Sequence, residues 1–334
     1  MSSATWVMSA HSFFQKILTT GDSNLLSHCL EIFSEQYQHN SLYQNYCRAL
    51  KIAPTQVKNL SNIPFLPIEF FKTQVIQTGQ FEPEIIFTSS GTTGLSTSRH
   101  FVKSLAQYES SFLKSFELMY GNPSDWVVLG LLPSYLERKG SSLIYMVEKL
   151  IALSQHQDSG FFLYDHEQLK KVLVRNEERG QKCLLIGVTF ALLDFAEKTD
   201  LPLKHTVIME TGGMKGRGEE LTRDEVSQIL KKAFHVSSVH SEYGMTELLS
   251  QAYSTENGLF KCPPWMKVLV RDTSDPLNVT ETGSGALNII DLANTDSIAF
   301  IATQDLGVVY PDGSFEVRGR IDHSDIRGCN LLIA

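Results

Sequence analysis

Ile85-Ile86-Phe87-Thr88-Ser89-Ser90-Gly91-Thr92-Thr93-Gly94 runs an apolar stretch straight into a loop made only of hydroxyl side chains and glycines. Glycine lets the backbone pass close to an anion with its N–H groups turned inward, and each serine or threonine adds a donor without adding charge. The spacing predicts a strand that empties into a phosphate-holding loop. A solvated Ser/Thr/Gly turn has the same composition, so the choice between the two rests on what accompanies it.

Downstream, strands and helices alternate. Leu105, Tyr108, Phe112, Phe116 and Met119 repeat at helical spacing, and Trp126 to Leu132 reads as a buried strand. Further strands are predicted at Phe161 to Tyr164, Cys183 to Val188, Thr206 to Met209 and Val236 to Val239. The helix before the last of these opens on the capping pair Thr222 and Glu225. Such alternation implies an α/β fold, a doubly wound and mostly parallel sheet with ligands at the strand C-terminal ends. Upstream, residues 1–80 read as a helical N-terminal segment, and its proline-rich strap Ile63 to Phe71 is too apolar for open solvent. That strap packs as an extended segment or lines an apolar channel. From about residue 263 to 334 short strands at Ala286 to Ile290, Ile298 to Ala302, Gly307 to Tyr310 and Phe315 to Val317 predict a small C-terminal β subdomain, leaving 81–262 as the α/β core.

With 334 residues, 42% of them hydrophobic, the chain can bury a large core. A formal charge of -8 gives no field to attract nucleic acid or an anionic membrane surface, so neither is expected as a partner. No apolar window reaches the roughly 18 residues a membrane span needs, and the N-terminus lacks a signal pattern, so the expected location is the cytoplasm. Five scattered cysteines, Cys29, Cys47, Cys183, Cys262 and Cys329, form no C-x-x-C pair. Any that matters should therefore act as a thiol.

Four further pieces accompany the first loop. Ser241-Glu242-Tyr243-Gly244-Met245-Thr246-Glu247 sets a hydroxyl beside a carboxylate, a pairing suited to Mg²⁺ near a triphosphate or, equally, to capping a helix. Thr211-Gly212-Gly213-Met214-Lys215-Gly216 follows a strand, and its glycines would let an adenine ring lie on the backbone unless they are a plain turn. Asp305, in Thr303-Gln304-Asp305-Leu306-Gly307, can accept bonds from two ribose hydroxyls or simply form a turn. The last piece is Gly319-Arg320-Ile321-Asp322-His323-Ser324-Asp325-Ile326-Arg327-Gly328-Cys329.

In order and spacing these pieces resemble the adenylate-forming enzyme superfamily. Pro64-Phe65-Leu66-Pro67, the Ser-Ser-Gly-Thr-Thr-Gly loop and Ser324 to Cys329 resemble, more closely, its LuxE-type acyl-protein synthetases, long-chain fatty-acid ligases of the luminescence fatty-acid reductase system. The resemblance implies the superfamily's N-terminal domain type of fold. It also implies a reaction in which a carboxylate attacks the α-phosphate of ATP to give acyl-AMP, and the acyl group then moves to a thiol. Carried over position by position, it assigns Ser89, Ser90, Gly91, Thr92, Thr93 and Gly94 to the phosphates. Thr246 and Glu247 would take the α-phosphate and Mg²⁺, Gly212 and Gly213 the adenine, and Asp305 with Arg320 the ribose, while Tyr243 and Gly244 complete the nucleotide-binding set. Cys329 stands where the acyl-accepting thiol should be, ahead of transfer to a partner reductase or carrier protein.

Two departures accompany the resemblance. The superfamily's phosphate loop usually closes with a lysine, whereas Leu95-Ser96-Thr97-Ser98 comes before Arg99 here, so either Arg99, Lys103 or another cation serves or the loop binds more weakly. The sequence also ends shortly after the hinge-like Arg320-Ile321-Asp322, so the mobile C-terminal domain with its catalytic lysine is expected to be absent. That leaves two alternatives open: a ligase using coenzyme A or a separate C-terminal domain, and a non-catalytic subunit that binds an adenylate.

Overall fold

The computed structural model describes residues 14–18, 24–89, 97–132, 140–212, 221–256 and 258–321. Its helices and strands, numbered in chain order, begin with α1 (Leu25–His39), α2 (Ser41–Ala49), β1 (Leu66–Pro67) and α3 (Phe70–Thr73). The hairpin β2 (Ile85–Thr88) and β3 (Arg99–Val102) follows, and then α4 (Leu105–Tyr120). Next come β4 (Val127–Leu131), α5 (Ser142–Ser154), β5 (Gly160–Phe161), α6 (His166–Glu178), β6 (Cys183–Gly187), α7 (Thr189–Glu197), β7 (Thr206–Glu210), α8 (Arg223–Phe234), β8 (His240–Tyr243) and β9 (Ala252–Ser254). The chain continues through β10 (Met266–Arg271), β11 (Val279–Thr280), β12 (Gly283–Asp291), β13 (Phe300–Val309) and β14 (Phe315–Arg320).

Strands β5, β4, β6, β7 and β8 lie side by side in that order, all parallel, with β9 antiparallel at the edge. Each crossover between parallel neighbours carries a helix, as a parallel connection requires. Strands β4 and β6 are buried at every position, which is why they are continuous apolar runs in the sequence. Each fully buried Val, Leu or Ile there contributes roughly 1.5–3 kcal/mol. Helix α8 starts on the expected reciprocal cap between Thr222 and Glu225. The mostly parallel α/β sheet inferred from the sequence is therefore present.

A second sheet has the order β1, β13, β12, β10, β11, with β14 pairing β13 further along the side that β1 also takes. Its pairs are antiparallel except β1 with β13, where Leu66 and Pro67 of the strap lie beside Ile301 and Ala302. Proline suits that position because an edge strand tolerates a missing donor. The segments expected as two strands at 298–302 and 307–310 form one long β13, with a register shift opposite Ala286 to Asn288. The polar Thr303-Gln304-Asp305 interrupts the apolar signal and lies at the register shift, yet the strand itself continues through it. One apolar core runs continuously from Phe14 and the N-terminal helices through both sheets to Phe315.

The strand expected at Val236 to Val239 is displaced. Helix α8 ends on His235 in a left-handed conformation, the next four residues connect, and β8 takes His240 to Tyr243. Those residues are polar yet Ser241, Glu242 and Tyr243 are buried, so hydrophobicity pointed to the wrong four.

Candidate active site

The two sheets meet at β8 and β13. Tyr243, the last residue of β8, donates its hydroxyl to Asp305 Oδ2 at 2.7 Å. Across the β13–β14 ladder Asp305 pairs with Arg320, whose Nε approaches Oδ1 at 3.2 Å. The Tyr243 ring packs against the stacked pair Phe260 and Phe315, at 5.7 and 5.3 Å between centroids. Asp305 is 8% exposed, and both carboxylate oxygens already have partners. Burial and the neighbouring Asp305 carboxylate push the Tyr243 hydroxyl well above the ordinary phenol range, so it keeps its proton and donates it to Asp305.

After β8 the chain makes a turn, and no helix starts at Thr246, so the capping alternative for Thr246 and Glu247 does not apply. The segment is fixed from several sides. Asp291 accepts from Leu249 N at 2.7 Å, Ser250 N at 3.0 Å and the Ser250 hydroxyl at 2.5 Å. His100 Nδ1 lies 2.8 Å from the Thr246 carbonyl oxygen. Asn294 Nδ2 donates to the Glu247 carbonyl oxygen at 2.7 Å. The Ser98 side chain lies close enough to the Glu247 carboxylate to pull its pKa down.

Glu247 is 6% exposed, and desolvation raises its pKa against the pull of Ser98 and of the positive charges of Arg320 and Lys72. A carboxylate in that state gains from any cation brought to it. Arg320 contacts Asp305, and its charge also reaches Glu247, so the two acids share one cation. Tyr243, Glu247, Asp305 and Arg320 are thus brought together. Gly244 belongs there sterically, since a Cβ would collide with the Glu242 carboxylate.

Gly212 follows β7 with φ +75°, and its N–H donates to Glu210 Oε2 at 2.8 Å. Ser89 ends the incoming arm of the first loop, pairing with Ser98 through N–H to carbonyl at 3.1 Å and through its hydroxyl, which accepts from Ser98 N at 2.9 Å. The hairpin therefore stays paired up to the loop itself. Ser90, Gly91, Thr92, Thr93, Gly94, Gly213 and Cys329 lie outside the described residues. Of the two cations considered for the missing lysine, Lys103 is engaged by Asp296 at 3.1 Å, whereas Arg99 stands at the loop end of β3 with its guanidinium 5.6 Å from the Phe101 ring centroid.

Sequence reading missed Ser98, His100, Asn294 and Lys72. It also gave no role to Glu242, 9% exposed, whose carboxyl burial and Glu210 push up to about 8. His100 is 1% exposed, and burial takes its pKa down to about 4, leaving one ring N–H for two acceptors, the Thr246 carbonyl and Asn294 Oδ1. Among the described residues no group of three or more His, Cys, Asp or Glu could hold a metal, and no helix is long and apolar enough to cross a membrane.

The parallel α/β sheet beside a second, mostly antiparallel sheet is the adenylate-forming fold. Among solved structures the chain is similar to ATP-bound MatB from Rhodopseudomonas palustris, with a TM-score of 0.53 and 16% identity over 72% of this chain and 49% of that one. It is also similar to the amide bond synthetase McbA from Marinactinospora thermotolerans, with a TM-score of 0.50 and 15% identity over 74% and 51%. The match spans about half the length of those two proteins. The LuxE acyl-protein synthetase profile matches residues 20–334, and the chain belongs to that family. Its relatives include proteins called long-chain-fatty-acid–luciferin-component ligase. The one from Aliivibrio fischeri is 25% identical over 91% of this chain and 86% of its own, and the one from Vibrio harveyi is 23% identical over 90% and 85%.

Proposed function

We propose that this chain is a cytoplasmic AMP-forming acid–thiol ligase that activates a fatty acid with ATP and passes the acyl group to a thiol, first its own Cys329. The observation that carries the reading is the junction of the two sheets, where Asp305, Tyr243 and Arg320 adjoin the fixed Thr246–Glu247 turn. The relatives' names point to a long-chain fatty acid as the carboxylic substrate.

In the first step a carboxylate oxygen of the acid attacks the α-phosphorus, and the bond to the bridging oxygen of pyrophosphate breaks. The protein's share is placement and charge. Asp305 accepts from the ribose hydroxyls, Gly212 and Gly213 present backbone to the adenine, and the Ser89 to Gly94 loop donates to the phosphates. Thr246 donates to the α-phosphate. Mg²⁺ takes one or two protein carboxylates together with phosphate oxygens and water, so the single desolvated carboxylate of Glu247 fits it. When bound, that ion offsets phosphate charge as the pyrophosphate departs.

In the second step a thiolate attacks the acyl carbonyl, a thioester forms, and AMP leaves with the electron pair of the broken C–O bond. Burial pushes Cys29, Cys47, Cys183 and Cys262 up to about 12. At neutral pH roughly one molecule in 10⁵ would carry any of these as thiolate. Cys329, beside Arg327 in sequence, is the remaining thiol, and a reductase or carrier protein would take the acyl group from it.

Exchange of labelled pyrophosphate into ATP tests the first step. It should require both a fatty acid and Mg²⁺, and an absence of exchange with every acid in a long-chain and aromatic panel would refute activation. Mass spectrometry tests the second step. The expected acyl adduct sits on Cys329 and is absent from Cys329→Ser, and an adduct that persists in that variant would reassign the acceptor.

A further inference from the structure

We propose that His100 and Asn294 are positioning residues that clamp the backbone of Thr246 and Glu247 and tie this turn to the outgoing arm of the phosphate-type loop. The inference rests on the function proposed above for Thr246 and Glu247.

The two side chains meet two consecutive carbonyl groups. His100 reaches Thr246 O at 2.8 Å, Asn294 donates to Glu247 O at 2.7 Å, and His100 Nε2 and Asn294 Oδ1 meet at 3.0 Å. Both side chains are buried, at 1% and 0% exposure. His100 is on β3, two residues after Ser98, which lies close to the Glu247 carboxylate and pairs with Ser89 across the hairpin. The short stretch from Ser98 into the start of β3 therefore meets both the main chain and the side chain of the Thr246–Glu247 turn.

Asn294 is itself fixed by remote parts of the chain. Gln36 of α1 donates to the carbonyls of Asn294 and Thr295 at 3.0 and 3.1 Å and accepts from Ala299 N at 3.0 Å. Asn40 and Thr78 donate to Ser297 O, and Gln107 of α4 donates to Ala293 O and to the Thr295 hydroxyl. A site that needed only bulk at position 100 would be served by an apolar ring, which would leave no polar nitrogen to satisfy in the core. The arrangement here instead fixes a peptide whose side chains must meet developing charge within about 0.5 Å.

Three variants test the clamp. His100→Phe keeps a ring and loses both nitrogens, His100→Asn keeps an amide that can reach the Thr246 carbonyl, and Asn294→Ala frees the Glu247 carbonyl. In hydrogen–deuterium exchange on the ligand-free protein, amides of residues 245–250 should exchange about tenfold faster or more in His100→Phe, with those of α4 unchanged. In pyrophosphate exchange His100→Phe should lower kcat about 30-fold or more while KM for ATP stays within about threefold, and His100→Asn should restore kcat to within about fivefold of the parent. Folded His100→Phe with parental kcat and parental protection of 245–250 would overturn the clamp. If that variant does not fold, Asn294→Ala decides by the same two readings, parental values again overturning it. A parent inactive in pyrophosphate exchange would refute the proposed function alone, because the deuterium comparison needs no substrate.

Discussion

Glu247 and Arg320 face the same candidate site from opposite extremes of burial. Glu247 is 6% exposed, on a turn fixed through His100, Asn294 and Asp291, whereas the Arg320 side chain is 55% exposed at the end of an edge strand with one carboxylate partner. The group that must meet charge is held by buried polar contacts that keep it from relaxing, and desolvation keeps it short of a counter-charge. The group on the nucleotide side stays open to solvent, where a substrate can reach it. Asp305 joins the two, buried like Glu247 and touching Arg320.

The sharpest break in this contrast is Glu247→Gln. Removing the desolvated charge should lower kcat for pyrophosphate exchange about 10²- to 10³-fold. Urea unfolding at pH 7 should show no loss of stability, because burial already disfavours the ionised form. Asp305→Ala comes next, and here activity and stability should fall together. KM for ATP should rise about 10- to 100-fold, and the unpartnered Tyr243 hydroxyl should cost about 1–3 kcal/mol in denaturant melts.

Glu242→Gln tests the buried half by pH. Glu242 titrates at about 8 in the fold against 4.5 when unfolded. Below pH 4.5 both states hold the proton and the group has no effect. Between pH 4.5 and 8 the unfolded chain releases it first, so stability falls as pH rises, and above 8 the penalty is complete. Melting temperatures of variant and parent should agree near pH 4.5 and separate by several degrees, in the variant's favour, by pH 8.5. A constant gap would reject the assignment. The smallest effect separates two cations: Arg99→Ala should raise KM for ATP about fivefold, and Lys103→Ala, losing its Asp296 and Phe81 contacts, less than about twofold.

What the sequence disclosed follows the same division. Strands β4 and β6 were legible because a strand buried on both faces must be apolar throughout, β7 by its apolar centre Val207 to Met209, and Thr222 with Glu225 announced α8. Strand β8 was misplaced because its buried residues are polar, and β3 and β10 were not anticipated at all. Glu247 and Asp305 could be named in advance because a carboxylate beside a hydroxyl or in a turn marks them locally, and Tyr243 and Arg320 because the resemblance to a family assigns them. Their support could not. His100 lies 146 residues from Thr246 and 194 from Asn294, and nothing in one sequence links three such positions. Neighbouring chemistry is written in order along the chain, while the contacts that aim it are made only by folding.

The most direct test of the account is a crystal structure with a non-hydrolysable acyl-sulfamoyl adenosine. The expected result is one ligand with its ribose hydroxyls on Asp305 and its sulfamoyl group at Thr246 beside Glu247. A ligand bound in another cleft, touching neither Asp305 nor the Thr246–Glu247 turn, would contradict it.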